Sequence, residues 1–321
     1  MFHMAKLKKQ HMTIHWKAIV QDDSSIPATE ATLKEKATLV GRVGLMMLSV
    51  GTGAWRVRNS MNKIARCLGI TCSADIGLLA ISYTCIEGTD TYTQSISLPT
   101  TGVNTHKLME LELFMKEFPD KVSTYSVKHI HEVLDEIQKL PANYKAWNLG
   151  LASALACGAF TFLLGGGPAE MCCAFLGAGI GNFVRKKMLG HSISLLANVA
   201  VSVAASCLVY VLTILLAQSL LSVSTVHQAG YICAMLFVIP GFPLITGGID
   251  LAKLDLRSGL ERVSYSLLII LTATMTGWAT AAICQFQPAD FEPLQLQKWM
   301  LLCFRLIASF CGVYGFSLMF N

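Results

Sequence analysis

The chain changes character near residue 145. Before it, apolar residues come in short periodic groups; after it, they come in six long runs. From Thr32 to about Leu68 the pattern is helical, with Leu39, Val43, Met46 and Met47 on one stripe. Gly51-Thr52-Gly53 divides it into two helices. The apolar run Leu39 to Trp55 carries Arg42, is flanked by Arg56 and Arg58 and covers 17 residues, so it reads as a soluble helix and not a span. Ile76–Cys85 and Tyr92–Leu98 alternate as strands, with Glu87-Gly88-Thr89-Asp90 as the turn between them. Lys107–Phe118 and Ser126–Leu140 return to helical spacing, and Pro141 closes the last helix.

The six runs are Asn148–Gly165, Ala169–Val184, Ile193–Leu221, Ala229–Ile249, Ser264–Cys284 and Trp299–Phe320. Most approach the ~20 residues that cross a bilayer. The expected fold is therefore an α-helical multi-pass membrane protein of about six spans with an N-terminal cytosolic α/β domain. Residues 1–31 read as a flexible basic tail, 32–145 as the α/β domain and 146–321 as the transmembrane domain.

Charge sharpens this division. Residues 1–145 hold 17 Lys/Arg and 14 Asp/Glu, whereas 146–321 hold 8 and 6. The whole chain is 53% hydrophobic and 14% charged, against about 25% charged in ordinary soluble domains. The mild net charge of +5, with no basic stripe, points to membrane topology and not to nucleic acid. Lys and Arg mark the cytoplasmic side. They crowd before the first run, at Arg185-Lys186-Lys187, and at Lys253, Arg257 and Arg262. The alternate loops, Gly165–Pro168, Ser224–Gln228 and Gln285–Gln297, are nearly free of them. Both termini are expected in the cytoplasm.

The fourth run carries the most chemistry. An apolar helix reaches Pro240-Gly241 and Pro243 about halfway along, then ends at Gly247-Gly248-Ile249-Asp250. Proline removes a backbone donor and clashes with the preceding turn. Broken backbone at membrane depth is tolerated only where protein or a wet cavity satisfies it, and transporters use such breaks as substrate sites. A simple packing kink is the other reading. The third run repeats Ser194, Asn198, Ser202, Ser206 and Tyr210 on one face, and the fifth repeats Thr272, Thr276 and Thr280. Either stripe can line a cavity or merely pack. Gly177-x-x-x-Gly181 permits close helix contact. Asp250, Arg305 and Glu170 are ionisable groups in or beside the spans, functional by default. Their structural alternatives are pairing with Lys253 or Arg257, snorkelling, and helix capping, in that order.

Other chemistry is thin. Gly51-x-Gly53 is no phosphate loop, since no strand precedes it and no GK[ST] follows. His129 and His131 face different ways on a helix, and His11 and His15 lie in the tail. The eleven cysteines contain no CxxC and predict neither a disulfide framework nor a metal site. No nucleophile–base set suggests an enzyme, no Walker motif suggests ATP drive, and no cofactor is expected.

Three blocks resemble the N-terminal module of the threonine/serine exporter family, which includes the two-component bacterial succinate exporter. The first is Gly51-x-Gly53-Ala54-x-Arg56-Val57, followed by Met61, Ile64-Ala65 and Leu68-Gly69. The second is Gly165-Gly166, and the third is Ile239-Pro240-Gly241 with Asp250, Asp255, Ser258-Gly259 and Arg262. The likeness covers about residues 37–285. Trp55 stands where the family has a small hydroxyl residue, Arg58 where it often has an acid, and Glu170 is the nearest acid after the glycine pair. The resemblance implies a bacterial inner-membrane exporter of small carboxylates, either threonine/serine-type amino acids or dicarboxylates such as succinate. It also implies a second small membrane subunit or a homo-oligomer. Pro240, Gly241, Pro243, Thr246, Asp250, Arg262, Asn198, Ser202, Thr276 and Arg305 are the candidates for substrate binding or gating, and Gly51, Gly53 and Arg56 form the front-domain motif. The competing class is a non-transporting membrane scaffold or regulatory subunit.

Overall fold

The computed structural model describes residues 16, 26–141, 144–189, 193–221, 230–286 and 296–320. His11, His15 and the loop Ser224–Gln228 lie outside the described residues, as does most of the loop before the last run. The chain divides into two compact units. One holds the residues up to Pro141 together with Phe242–Ser264; the other holds 142–241 and 265–321.

The first unit opens with α1 (Leu33–Ser49), α2 (Ala54–Cys67), a three-stranded sheet, α3 (Thr105–Lys121) and α4 (Val127–Lys139). Thr32 starts α1 through a capping box: its Oγ1 accepts from the Glu35 N–H, and the Glu35 carboxylate accepts from the Thr32 N–H. Between α1 and α2, Gly51 takes φ +87°, a region glycine enters without steric cost. The sheet is an antiparallel meander of β1 (Thr71–Ile76), β2 (Ala80–Glu87) and β3 (Asp90–Ser97). Its tight turn is the expected one, with Gly88 at φ +61°. The strand expected from Ile76 instead begins at Ala80, and β1 was not foreseen. In β2, Ile81, Tyr83 and Cys85 point inward and join Leu39, Val43 and Met47 of α1, Met61 and Ile64 of α2, and Leu134 of α4 in one core. Phe242–Ser264 adds most of α9 (Gly241–Ala252) and the start of α10 (Leu256–Ile283) to this unit.

The second unit is helical. It contains α5 (Ala146–Leu163), α6 (Pro168–Met188), α7 (Leu195–Leu221), α8 (Gly230–Ala234), a 3-10 turn at Leu236–Val238, most of α10 and α11 (Lys298–Met319). α6 lies against both α5 and α7, and α11 lies against α5. Gly177 and Gly181 allow the α6 contact: a Cβ on Gly177 would meet the Ser206 carbonyl oxygen at 2.8 Å, and one on Gly181 would meet the Ser206 Cβ at 2.7 Å.

α5, α7, α10 and α11 are each long and apolar enough to cross a membrane, and Gly230–Val238 with Gly241–Ala252 makes a fifth candidate with a break. α6 has the length, at 21 residues, but Glu170, Asn182, Arg185, Lys186 and Lys187 dilute its apolar character. Among the described residues, the expected six spans are thus supported to four or five.

Candidate functional site

The fourth run is interrupted as its prolines predict. α8 and the 3-10 turn end at Val238, and α9 begins at Gly241. Pro243 lies in the first turn of α9, where its missing N–H breaks no helical bond. The Gly241 N–H donates to the Ile239 carbonyl at 2.9 Å. Phe242 and Leu244 are the other N–H-bearing residues of that turn. Thr246 donates back to the Phe242 carbonyl at 3.0 Å, within its own helix.

The carbonyl end of the break is served by α6. Arg185 Nη1 donates to the Phe237 carbonyl at 3.2 Å. Asn198 of α7 in turn donates to the Arg185 carbonyl at 3.3 Å, and Ser206 donates to the Ala234 carbonyl at 2.7 Å. Irregular backbone in an apolar setting must find partners inside the protein; Arg185 and Ser206 supply them here, while Asn198 serves a carbonyl in the last turn of α6. The polar stripe of α7 therefore has a stated use at Asn198 and Ser206. Ser202 is buried but donates to the Val199 carbonyl of its own helix at 2.9 Å. Thr272, Thr276 and Thr280 of α10 likewise each donate to the carbonyl four residues back, at 2.8 Å. Arg185 was read from sequence only as a topology marker. A basic residue one turn before the end of a glycine-bearing helix carries no local sign of such a partner.

Past the break, α9 ends in a turn that turns the chain back on itself. The Asp255 N–H bonds the Asp250 carbonyl at 2.9 Å, and the Leu254 N–H bonds the Leu251 carbonyl at 3.0 Å. This is a Schellman closure, which needs a left-handed residue after the helix. Leu254 fills that position at φ +63°, where glycine would be unstrained. The turn brings Asp250 of α9 beside Ser258 and Arg262 of α10.

Asp250 is fully buried, and its carboxylate is well supplied with donors. Both oxygens lie 3.0 Å from the Ala54 N–H, Ser258 Oγ donates at 2.9 Å, and Arg262 Nε stands at 3.3 Å. Ala54 opens α2, so the carboxylate caps that helix from a distant segment, where an N-terminus favours negative charge. Gly53 has no side chain to cap with, and a Cβ there would sit 2.9 Å from Asp250 Oδ1. Arg262, 2% exposed, completes the knot. Its Nη2 donates to the Thr52 carbonyl at 2.7 Å, its Nη1 to the Gly51 carbonyl at 3.4 Å, and its Nε to Ser258 Oγ at 3.1 Å.

Around the knot lie further ties. Arg58 grips Asp255 with two bonds of 2.7 and 3.0 Å, and hydrogen bonding to that carboxylate raises the guanidinium above its ordinary value. Arg257 pairs with Asp75, and Glu261 accepts from the Leu78 N–H at 2.6 Å. The Lys253 ammonium lies 3.9 Å from the Trp55 ring centroid.

The structure thus joins Gly51, Gly53, Asp250 and Arg262 of the expected residues and adds Thr52, Ala54 and Ser258. It does not join Arg56, which pairs with Glu112 at 2.6 Å on the surface. Arg305 is exposed on α11. Glu170 caps its own helix by accepting from the Gly167 N–H at 3.0 Å. Lys253 and Arg257, the local partners considered for Asp250, are engaged with Trp55 and Asp75 instead.

Comparison with known proteins supplies the family. Residues 38–284 match the family described as "Putative threonine/serine exporter". Two relatives, from Klebsiella aerogenes and Escherichia coli K12, are each named "Probable succinate transporter subunit YjjP". Each is 24% identical to this chain over 73% of its length, covering 87% and 88% of the relative. No solved structure matches.

Proposed function

The chain belongs to the threonine/serine exporter family, and we propose that it is a secondary exporter of small carboxylates working by alternating access around Pro240. The substrates are threonine/serine-type amino acids or dicarboxylates such as succinate. The observation that carries this reading is the interrupted helix Gly230–Ala252, which lies inside the family match and whose carbonyl end is served by Arg185. The first turn of α9 would present N–H groups and a positive helix end to a substrate carboxylate. Asp250 and Arg262 would hold the far end of α9 to the Gly51–Ala54 loop, so that α9 gates as part of the front unit. The relatives are named as subunits, which favours a second membrane subunit here.

We place the protein in a bacterial inner membrane with six spans, α6 among them, and both termini in the cytoplasm. The front unit then faces the cytoplasm. The Lys/Arg asymmetry between alternate loops supports this. In a cysteine-depleted background, single cysteines at Ser224 and Gln228 should label from outside, and those at Lys186 and Lys253 only from inside. Outside labelling at Lys186 would remove α6 from the spans.

Metabolite profiling tests the function. Cells carrying the gene should lose threonine, serine or small dicarboxylates to the medium faster than cells without it. Unchanged pools of all three would leave a membrane scaffold as the better account.

A further inference from the structure

The sheet of the front unit sets two cysteines opposite each other. Cys72 of the edge strand β1 pairs directly with Cys85 of the central strand β2. In an antiparallel ladder, opposed residues alternate between pairs that exchange backbone hydrogen bonds and pairs that do not. The second kind holds its Cα atoms about 4.5 Å apart and its side chains closer. The Gly77 N–H donates to the Ala80 carbonyl at 2.8 Å, one step beyond the Ile76–Ile81 pair, so Gly77 and Ala80 are a bonded pair. Alternation from there makes Asp75–Ser82 and Ser73–Thr84 bonded, and Ala74–Tyr83 and Cys72–Cys85 not. The far side of β2 agrees. The Leu98 N–H donates to the Leu79 carbonyl at 2.7 Å, so Leu79 and every second residue after it, Cys85 included, turn their backbone groups to β3.

Both side chains lie on the sheet face that meets the core. Cys85 is fully buried, whereas Cys72 is half-buried between the exposed Thr71 and Ser73. The Cys85 thiol donates to the Cys72 sulfur, which holds Cys72 below the usual thiol range; the same bond, together with burial, pushes Cys85 up. The pair is therefore unequal. Cys72 ionises first and is the one a reagent can reach, and Cys85 waits behind it. A disulfide joins Cα atoms roughly 4.4–6.8 Å apart, and a non-bonded pair falls at the short end of that range. Bridges away from the preferred geometry are the more readily reduced ones.

We propose that Cys72 and Cys85 are a reversible redox pair, oxidised across the strands by a small-molecule disulfide. The Cys72 thiolate attacks one sulfur of that disulfide, forms a mixed disulfide and releases one thiolate, which takes up the proton Cys72 gave to water. Cys85 then attacks the Cys72 sulfur, and the second thiolate leaves with the Cys85 proton. Two protein thiols are oxidised and one disulfide is reduced to two thiols. The bridge locks β1 to β2. β1 and its turn hold the start of α10, through Asp75 to Arg257 and the Leu78 N–H to Glu261, so the bridge pins the strand on which those ties hang. Cytoplasmic disulfides are rare, and those that form are transient and redox-sensing; a pair that cycles suits the side proposed for the front unit.

Purified full-length protein is reduced with dithiothreitol, freed of it and incubated with excess oxidised glutathione without denaturant. The reaction is quenched with acid, remaining thiols are alkylated in denaturant, and peptides are mapped by mass spectrometry. Wild type should yield a Cys72–Cys85 cross-linked peptide in most molecules, and dithiothreitol should return both thiols. Cys72→Ser should leave Cys85 unmodified, because the buried thiol is not reached. Cys85→Ala should stop at the mixed disulfide, with glutathione held on Cys72. Wild type and Cys72→Ser carry the test whether or not Cys85→Ala folds. The proposal fails if both thiols of wild type stay free, if glutathione stays on Cys72 of wild type, if Cys72 pairs with Cys67 instead, if Cys85 of Cys72→Ser takes up glutathione, or if the bridge forms only in denaturant.

Discussion

Asp250→Asn is expected to lower stability by about 3 kcal/mol, the lower end of what removing one partner of a buried ion pair costs. The variant keeps an oxygen for the Ala54 N–H, but its amide N–H groups now face donors, Ser258 Oγ and Arg262 Nε. Arg262, itself 2% exposed, is left as a buried charge without its anion. Thermal unfolding of the purified protein measures the loss. The same substitution should reduce efflux at every pH, because the carboxylate works as a fixed tie between α9 and the Gly51–Ala54 loop. Efflux that is normal at one end of the pH range and lost at the other would instead mark Asp250 as a proton carrier. A double variant, Asp250→Leu with Arg262→Met, should recover much of the stability, since apolar residues of similar volume often replace a buried pair without loss. It should not recover efflux.

The second large effect concerns the break. Pro240→Ala with Pro243→Ala removes two residues that each oppose helix by about 3 kcal/mol relative to alanine. The fourth run should then close its backbone ladder across residues 238–241 and displace Arg185 from the Phe237 carbonyl. The expected protein is at least as helical and as well inserted, yet has lost stabilisation by substrate. A packing kink would give the reverse, with poorer assembly but intact binding. Substrate-dependent thermal stabilisation, compared between wild type and double variant, separates the two. Equal stabilisation would remove the carboxylate from this break.

What the sequence shows and hides follows the range of each force. Helices are written locally, so the apolar runs and the stripe Leu39, Val43, Met47 locate α1, α5, α6, α7 and α11 within a few residues. α10 instead begins at Leu256, eight residues before the expected Ser264, because its first turns carry Arg257, Glu261 and Arg262 and so fall outside the apolar run. The turn before β3 was legible because glycine and aspartate bound it. β1 was not, since Thr71–Ile76 is an edge strand with only Ile76 buried, and an edge strand needs little apolar alternation. The interruption of the fourth run was legible at Pro240. Its earlier loosening at Met235 was not, because no local residue type demands it. The partners of Asp250 were illegible for a different reason. Spacing along a helix nominates Lys253 or Arg257, but the Schellman turn at Leu254 sends those away and brings up Ser258 and Arg262. The Ala54 N–H, 196 residues distant in sequence, is reached only through the folded unit. Arg58 illustrates the same point, since its partner Asp255 comes from a segment 197 residues on.

The most direct measurement is efflux from proteoliposomes holding the purified protein with any membrane subunit that co-purifies. Vesicles are loaded with labelled succinate or labelled threonine. At least one substrate should leave wild-type vesicles well above the protein-free rate, and the double proline variant should return that rate to background. Release of both substrates at the protein-free rate from vesicles containing folded, correctly inserted wild-type protein would contradict the exporter account.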